Sequence, residues 1–161
     1  MKFDFPQVDL PCEILAWNDV TEDILNIYKQ SCRLKAGIFA ICTEGKMTAT
    51  INLIDYEIKP NDLITLLPGT IIQFRERTEK VRLCFAGFSS ECVERINLIK
   101  SMVSSFSKIT ECPIVELQED IASYLIDYFS LLARVTCDEK LSLPSEMTEV
   151  SLRSILTAVG L

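Results

Sequence analysis

Seven cysteines are the most reactive residues of this chain, and no histidine accompanies them. Without an imidazole, the chain cannot form a Ser-His-Asp triad, a Cys-His nucleophile pair or a histidine-ligated metal centre. The cysteine spacings are irregular and include no C-x-x-C, so the thiolates of a structural zinc site would have to come from distant segments. We expect most of these cysteines to be small buried hydrophobic residues, and we predict no catalytic residue, no metal and no cofactor.

Polar and aromatic side chains at strand-like spacing are the remaining candidates for chemistry. Gln73, Arg75 and Arg77 occupy every second position, and such alternation places side chains on one face of a strand. Arginine binds anions, and a tryptophan or tyrosine ring stacks on sugars and planar molecules. The candidate ligand-binding residues are Trp17, Arg33, Tyr56, Gln73, Arg75 and Arg82.

These residues also have an interpretation that involves no ligand. The arginines can be solvated charges of edge strands beside Glu76 and Glu79, and Trp17 can pack in a core or against an N-terminal arm. The sequence alone leaves both interpretations open.

Length and charge narrow the class of protein. A chain of 161 residues is long enough for one ordinary domain, and 48% of its residues are apolar. The formal net charge of −7 argues against direct binding of nucleic acid, which requires a basic face. The sequence begins without a secretory signal and contains no apolar run of about 18 residues, so we expect a cytoplasmic protein that does not enter the membrane.

The first half of the chain has the pattern of a β domain. Four of the five glycines fall between Gly37 and Gly87, and short apolar or alternating runs are separated by turn residues. We predict hairpin turns at residues 44–46 and at Asp55, and we expect Asp62 to accept hydrogen bonds from turn amides. The predicted strands are residues 33–43, 47–53, 56–59, 63–67, 71–77 and 81–87, which is typical of a sandwich or barrel.

The second half has the pattern of helices. Ser89 or Ser90 is a suitable cap for a first helix, whose apolar stripe includes Val93, Ile99 and Phe106. An extended segment at 114–117 precedes a strong helix over 119–135, and a last helix begins near residues 142–144.

The segment K-P-N-D-L-I-T-L-L-P-G-T-I-I-Q-F (residues 59–74), preceded by the hairpin at 44–46, resembles the cupin-like N-terminal domain of AraC/XylS-type transcription regulators. That family usually has Gly where this chain has Asn61, and Asn also reaches a positive φ. The helix over 119–135 and the segment Ser151–Leu156 resemble the helical pair by which such regulators dimerise. The resemblance covers residues 33–161.

The resemblance implies a fold, a function and a domain organisation. The fold class would be mainly β with α: a small cupin-like (double-stranded β-helix, or jelly-roll) barrel at residues 1–90, with an N-terminal arm at 1–15 over its mouth. A helical dimerisation subdomain would occupy residues 91–161. The chain would be the ligand-sensing part of a bacterial regulator, with a sugar or an anionic metabolite as effector. DNA would be bound only through a C-terminal helix-turn-helix domain that these residues lack.

The apolar arc of the long helix is wider than the roughly 100° that packing on one barrel requires. A second partner is therefore expected, and we expect both the last helix and the same helix of another subunit in a homodimer to fill this role. The predicted dimerisation residues are Ile121, Leu125, Tyr128, Phe129, Leu132, Leu152, Ile155 and Leu156.

Two other classes fit the β pattern less well. A cyclic-nucleotide barrel needs a glycine-rich phosphate cassette, and nothing of that kind lies between Leu67 and Arg77. A stand-alone metal-free cupin, as a binding protein or as a sugar isomerase or epimerase, remains the alternative. An enzyme of that kind would need paired acid and base groups from tyrosine, lysine or glutamate, and Glu57 and Lys59 on one short strand are the pair that the sequence offers.

Overall fold

The computed structural model describes residues 5–10, 14–20, 30–77, 80–96, 111–137 and 145–158. The strands in these residues are β1 (Gln7–Val8), β2 (Ile14–Val20), β3 (Cys32–Leu34), β4 (Gly37–Glu44), β5 (Met47–Ile51), β6 (Ile54–Ile58), β7 (Asp62–Leu66), β8 (Ile71–Arg77), β9 (Arg82–Phe88) and β10 (Ile114–Glu116). The helices are α1 (Ser90–Ile96), α2 (Glu119–Cys137) and α3 (Ser145–Ala158).

The strands form two five-stranded sheets that face each other. Sheet A has the order β1-β3-β8-β5-β6, and sheet B has the order β10-β7-β4-β9-β2. The β1–β3 pair is parallel, and the other pairs are antiparallel. The predicted fold class, a mainly β, cupin-like domain with helices, is confirmed. In the described part of the chain, no helix has both the length and the apolar character that crossing a bilayer demands.

Two hydrophobic cores lie on opposite faces of sheet B. The inner core fills the space between the sheets and includes Leu34, Cys42 and Ile72. The outer core lies between sheet B and the helices, where Phe39 and Phe88 meet edge to face at 6.2 Å. Sheet B is therefore buried on both faces, which explains why β7 is buried at every position while β5 alternates between buried and half-buried residues.

Two boundaries differ from the predictions. The predicted strand 33–43 is two strands, because the chain leaves sheet A after Leu34 and enters sheet B at Gly37. The turn predicted at Asp55 was wrong, since Asp55 lies in β6 opposite Thr50. The turn itself is Asn52-Leu53, and both of these residues have positive φ angles, 49° and 71°.

The turn between β6 and β7 is held by a buried carboxylate. Asn61 takes the left-handed conformation at φ 73°, and Asp62 is only 4% exposed. Asp62 Oδ2 accepts a hydrogen bond from the Lys59 amide at 2.9 Å, as the sequence predicted, and Asp62 Oδ1 lies 3.1 Å from Lys59 Nζ. Lys59 Nζ also lies 3.3 Å from Glu116 Oε2, so the turn is tied to β10.

The N-terminal segment runs along β3. The Pro6 and Val8 carbonyls accept hydrogen bonds from the Arg33 and Lys35 amides, both at 2.8 Å. Asp9 caps α1 by accepting hydrogen bonds from the Ser90 amide and hydroxyl. Partial burial acts to raise the pKa of Asp9, but these bonds, the Leu10 amide and the charge of Lys35 together lower it. Residues 5–10 are the described part of the predicted arm. They contain β1, which is one edge strand of sheet A, and β6 is the other edge strand.

The helical half follows its predicted pattern where it is described. The Ser89 hydroxyl accepts a hydrogen bond from the Cys92 amide at 3.2 Å and caps α1. The predicted extended segment at 114–117 is β10, which pairs with β7. α2 packs on β2 and β9. The later part of the first predicted stripe, with Ile99 and Phe106, lies outside the described residues, as does the predicted start of the last helix at 142–144.

We predict that Asp62→Ala lowers the free energy of unfolding by about 1–3 kcal/mol, because the turn amide loses a charged, buried acceptor. Urea denaturation followed by circular dichroism measures the loss. The matched control is Glu116→Ala, which removes only an exposed ion pair and should cost less than about 1 kcal/mol. Equal losses in the two variants would contradict the role assigned to Asp62.

Candidate functional site

A cleft of about 210 Å³ opens where the sheet A edge strand β6 faces the end of β7. Its walls come from the β5–β6 turn, from β6, from the β7–β8 turn and from the residue that precedes β10. The lining residues are Ile51, Asn52, Ile54, Tyr56, Thr65, Leu67, Pro68, Gly69, Thr70 and Pro113.

Backbone hydrogen bonds fix the two turns at the rim of this cleft. The Asn52 amide donates to the Ile71 carbonyl at 2.8 Å, and Asn52 Oδ1 accepts from the Ile71 amide at 3.0 Å. Gly69, at φ 91°, donates its amide to the Leu34 carbonyl at 2.7 Å. This positive φ is strained for any residue with a Cβ, which accounts for glycine at this position.

Pro113 forms the third wall and joins the cleft to the helices. Its carbonyl accepts a hydrogen bond from the Thr65 amide at 2.9 Å. The chain then continues directly into β10 and, three residues after Glu116, into α2. A change at this wall is therefore connected to the start of the long helix by a short segment of chain.

The described residues that line the cleft include no charged side chain. Polar groups come from the phenol of Tyr56, the amide of Asn52 and the hydroxyls of Thr65 and Thr70, and the other side chains are apolar. No carboxylate, amine or thiol is present among them, so the phenol and the two hydroxyls are the groups of the described lining that could transfer a proton or donate a hydrogen bond to a bound molecule.

One of the predicted ligand-binding residues lines the cleft, namely Tyr56. Arg33 lies behind the rim, where its Nη1 donates to the Gly69 carbonyl at 3.3 Å. Trp17 is in β2 opposite Phe85, and the placement of its side chain lies outside the described part of the chain.

The structure does not bring the other predicted ligand residues to the cleft. Gln73 Oε1 accepts a hydrogen bond from the Ser31 hydroxyl at 3.1 Å. Arg75 pairs with Asp55 and Arg82 with Glu44, each at 3.5 Å and each largely exposed. Arg75 and Arg82 therefore follow the solvated interpretation that the sequence left open.

Gln73 and Arg75 are away from the cleft because they lie on the face of β8 that is turned away from the inner core. Ile72 is in the inner core and Phe74 packs against it, so the alternating positions Gln73 and Arg75 lie on the outer face of sheet A. The alternation predicted the strand correctly, but it does not say which of its faces is enclosed.

The candidate acid and base of a cupin enzyme are not assembled either. Glu57 is exposed in β6, and Lys59 is engaged with Asp62 and Glu116. Neither residue lines the cleft. Of the residue types that the sequence named for an acid or a base, only a tyrosine, Tyr56, is among the described lining residues.

Three of the buried thiols have raised pKa values and therefore low reactivity at neutral pH. Burial raises the pKa of Cys42 to about 11 and that of Cys84 to about 12, and it also raises the pKa of Cys32. Such thiols stay protonated at neutral pH and are poor nucleophiles and metal ligands. Among the described residues, no group of three or more metal-ligating side chains comes together. The prediction of buried hydrophobic cysteines is confirmed for Cys32, Cys42, Cys84 and Cys92, whereas Cys112 is exposed.

The predicted dimerisation residues require a correction. They are largely buried within the chain itself, because α2 and α3 cover the outer face of sheet B. Ile121 and Tyr128 are partly buried, and the side chain of Leu156 lies outside the described part of the chain. The residues that are at most 5% exposed, and so cannot contact another subunit, are Leu125, Phe129, Leu132, Leu152 and Ile155.

A second apolar stripe on α2 is only partly covered by the rest of the chain: two of its residues are exposed and three are half-buried. It consists of Ile121, Tyr124, Tyr128, Leu131 and Val135, and we call it the outer stripe. Its spacing alternates between three and four residues, which is the a/d spacing of a coiled-coil seam. Tyr124 is 56% exposed and Leu131 is 46% exposed, and the rings of Tyr124 and Tyr128 stack in parallel at 6.3 Å.

The helix α3 continues this surface. Its exposed residues Met147 and Val150 have the same spacing of three. A surface groove of about 690 Å³ separates the two helices, lined by Ile121 and Tyr124 on one side and by Val150 and Arg153 on the other. The sequence already indicated this surface. The apolar arc of α2 is wider than packing on one sheet requires, and the extra part of the arc corresponds to the outer stripe.

Comparison with solved structures finds similar folds among transcription regulators. The AraC-like transcriptional activator CuxR is 10% identical with a TM-score of 0.47, over 88% of this chain and 45% of that one. ToxT from Vibrio cholerae is 10% identical with a TM-score of 0.40, over 79% of this chain and 48% of that one. ToxT from Vibrio cholerae O395, bound to (E)-4-(8-methylnaphthalen-1-yl)but-3-enoic acid, is 10% identical with a TM-score of 0.43, over 91% of this chain and 55% of that one.

The chain therefore spans about half the length of these proteins. The resemblance to AraC/XylS-type regulators that the sequence predicts is confirmed as a resemblance. No family model and no curated protein matches the chain.

We predict that Leu125→Glu combined with Leu132→Glu prevents folding instead of producing a folded monomer. Each change buries an unpaired carboxylate in the outer core at a cost of about 3 kcal/mol or more, and a small domain is stable by only about 5–15 kcal/mol. Circular dichroism should show no cooperative thermal transition. A soluble variant with the wild-type melting temperature would contradict the burial of these residues.

Proposed function

We propose that this chain is the ligand-sensing and dimerisation domain of an AraC-like transcription regulator. The observation that carries the proposal is a cleft whose described lining has no charged side chain, in a β shell whose long helix keeps a partly exposed apolar stripe. A site of this kind holds a molecule without converting it, and a stripe of this kind pairs with another helix. The resemblance to AraC-like regulators supports the same assignment.

We infer from the charge of the chain that another part of the protein binds DNA. With 23 acidic and 16 basic residues, the domain repels phosphates. We infer that it controls a helix-turn-helix region outside these 161 residues. A cytoplasmic location follows from that role, and the free thiols of Cys42 and Cys84 fit a reducing compartment.

The dimer interface that we propose is the outer stripe of α2, with Met147 and Val150 of α3 beside it. Two copies of a stripe with a/d spacing can pack against each other around a two-fold axis. Tyr124, Leu131 and Val150 are 56%, 46% and 61% exposed, and pairing of the two surfaces would bury them together.

The effector acts through the wall that the cleft shares with β10. A ligand in the cleft contacts Pro113, and β10 leads from Pro113 into α2. An effector that fits one arrangement of this segment better than another shifts the domain toward that arrangement. The helices then present a different surface to the DNA-binding region.

We predict that Tyr124→Glu combined with Leu131→Glu converts a dimer to a folded monomer, because four like charges would face each other across the paired stripes. Light scattering after gel filtration measures the mass, and thermal melting shows whether the fold is kept. The matched control is Ser123→Glu with Arg134→Ala, which makes the same charge change on exposed positions away from the stripe and should remain dimeric. An unchanged mass in the stripe variant, or a wild-type chain that is already monomeric, would contradict the interface.

We predict that one chemical class of metabolite raises the melting temperature of the domain. A ligand at about one hundred times its Kd adds about 2.7 kcal/mol, or about 5–10 °C for a chain of this length. Differential scanning fluorimetry over uncharged, anionic and cationic metabolites measures this shift. Arg75→Gln on the outer face should respond as the wild type does, and the stabilising compound should be recovered unchanged. A screen in which no class shifts the transition would refute a sensory role, and turnover of the compound would restore the enzymatic alternative.

A further inference from the structure

The turn between β5 and β6 contains a leucine where the backbone favours glycine. Ile51 and Ile54 are paired, so Asn52 and Leu53 form a two-residue hairpin turn with both φ angles positive. Such turns prefer Asn-Gly, since a branched or long side chain is strained at positive φ. Leu53 therefore carries a conformational cost that glycine would avoid.

Leu53 gains no packing in return for this strain. It is 76% exposed, the highest value among the exposed large apolar residues of the described chain. Strained residues of this kind cluster at ligand clamps and active sites, where the strain serves function. Burial in the free domain thus does not explain the leucine.

The position of Leu53 connects it to the cleft. Its two neighbours, Asn52 and Ile54, both line the cleft, and Ile54 is itself 58% exposed. Leu53 stands just beyond this rim. An occupant of the cleft would offer both exposed side chains an apolar surface that the free domain lacks.

The lining of the cleft selects the chemistry of that occupant. A charged group would lose its hydration with no opposite charge among the described lining residues to compensate. Proline and aliphatic side chains provide flat apolar walls, and Tyr56 and the two threonines provide hydrogen-bonding groups. A volume of about 210 Å³ equals about seven water molecules at ~30 Å³ each, the size of a single substituted ring.

We propose that the cleft binds small uncharged planar ring compounds with one hydrogen-bonding group, and that Leu53 closes over the bound ring. This inference rests on the proposed function, in which the cleft is the sensory site. It replaces the sugar or anionic effector expected from the sequence, because none of the three candidate arginines lines the cleft. Arg75 lies on the outer face of sheet A, Arg82 pairs with Glu44 at the exposed start of β9, and Arg33 lies behind the rim.

The first test compares an uncharged ring with its anionic counterpart. Phenol, benzyl alcohol and benzamide are titrated to millimolar concentration into the ¹⁵N-labelled domain, and benzoate serves as the charged match of benzamide. We expect at least one uncharged compound to shift the amide signals of Asn52, Tyr56 and Thr70 in a saturable way. Benzoate should leave these signals in place. Equal binding of benzoate, or no saturable shift with any uncharged compound, would overturn the proposal.

The second test removes the leucine without straining the turn. Leu53→Gly suits the positive φ, so it should leave the melting temperature unchanged or higher, yet it should weaken binding of the best ring compound about tenfold by uncovering the ring. Leu53→Asn, which also tolerates this conformation, should weaken binding similarly. The matched control Asn61→Gly relaxes the other strained turn, away from the cleft, and should leave the affinity unchanged. Wild-type affinity in both Leu53 variants would overturn the role of Leu53.

The outcomes separate this inference from the proposed function. If the ring compounds do not bind while another class of metabolite raises the melting temperature, the sensory role is supported and the proposed ligand class is wrong. If no compound of any class binds, both fall together.

Discussion

The structure depends on the burial of sheet B on both of its faces. Its inner face closes the β shell, and its outer face must be covered by helices because Phe39, Ile41 and Phe88 would otherwise meet water. Covering this face uses the arc of α2 that contains Leu125 and Phe129. The same requirement makes β10 pair with β7, since α2 must begin beside the sheet that it covers. The cleft, the outer stripe and the connection between them all follow from this arrangement.

Turn chemistry and periodicity predicted most of this fold from the sequence. The Gly45 hairpin, the Pro60-Asn61-Asp62 turn and the 3.6-residue period of α2 depend on local backbone preferences, which a sequence displays directly. The turn at Asn52-Leu53 was missed because leucine is not a turn residue, and the sequence placed the turn at the more typical Asp55 instead. The position that local rules could not predict is the one at which we infer a function.

The candidate site was predicted less well, for a physical reason. Alternation identifies two faces of a strand but not the enclosed one, which is decided by how the sheets stack. The sequence therefore could not decide whether Gln73 and Arg75 face the interior, which Ile72 and Phe74 occupy in the structure. An apolar stripe likewise shows that a helix packs, but not whether the partner is its own sheet or another chain. The charge of a side chain predicts the enclosed face better than alternation does. Burying an unpaired arginine costs more free energy than burying Ile72 contributes, so the face with Ile72 is the one that becomes enclosed.

The free-energy cost of moving α2 limits how a ligand in the cleft could act on the helices. A rigid shift of α2 would displace Leu125 and Phe129 from the outer core, at a cost of about 2–5 kcal/mol for each large side chain. Coupling between two sites in a protein is typically about 1–3 kcal/mol, which is too little to move both side chains. The proposed effect of a ligand at Pro113 would therefore be confined to β10 and the first turn of α2, where Asp120 and Ile121 border the groove toward α3. This turn contains the first residue of the outer stripe, so in the dimer that we propose a small local change there would alter how the two stripes meet without disturbing the core that holds the helix in place.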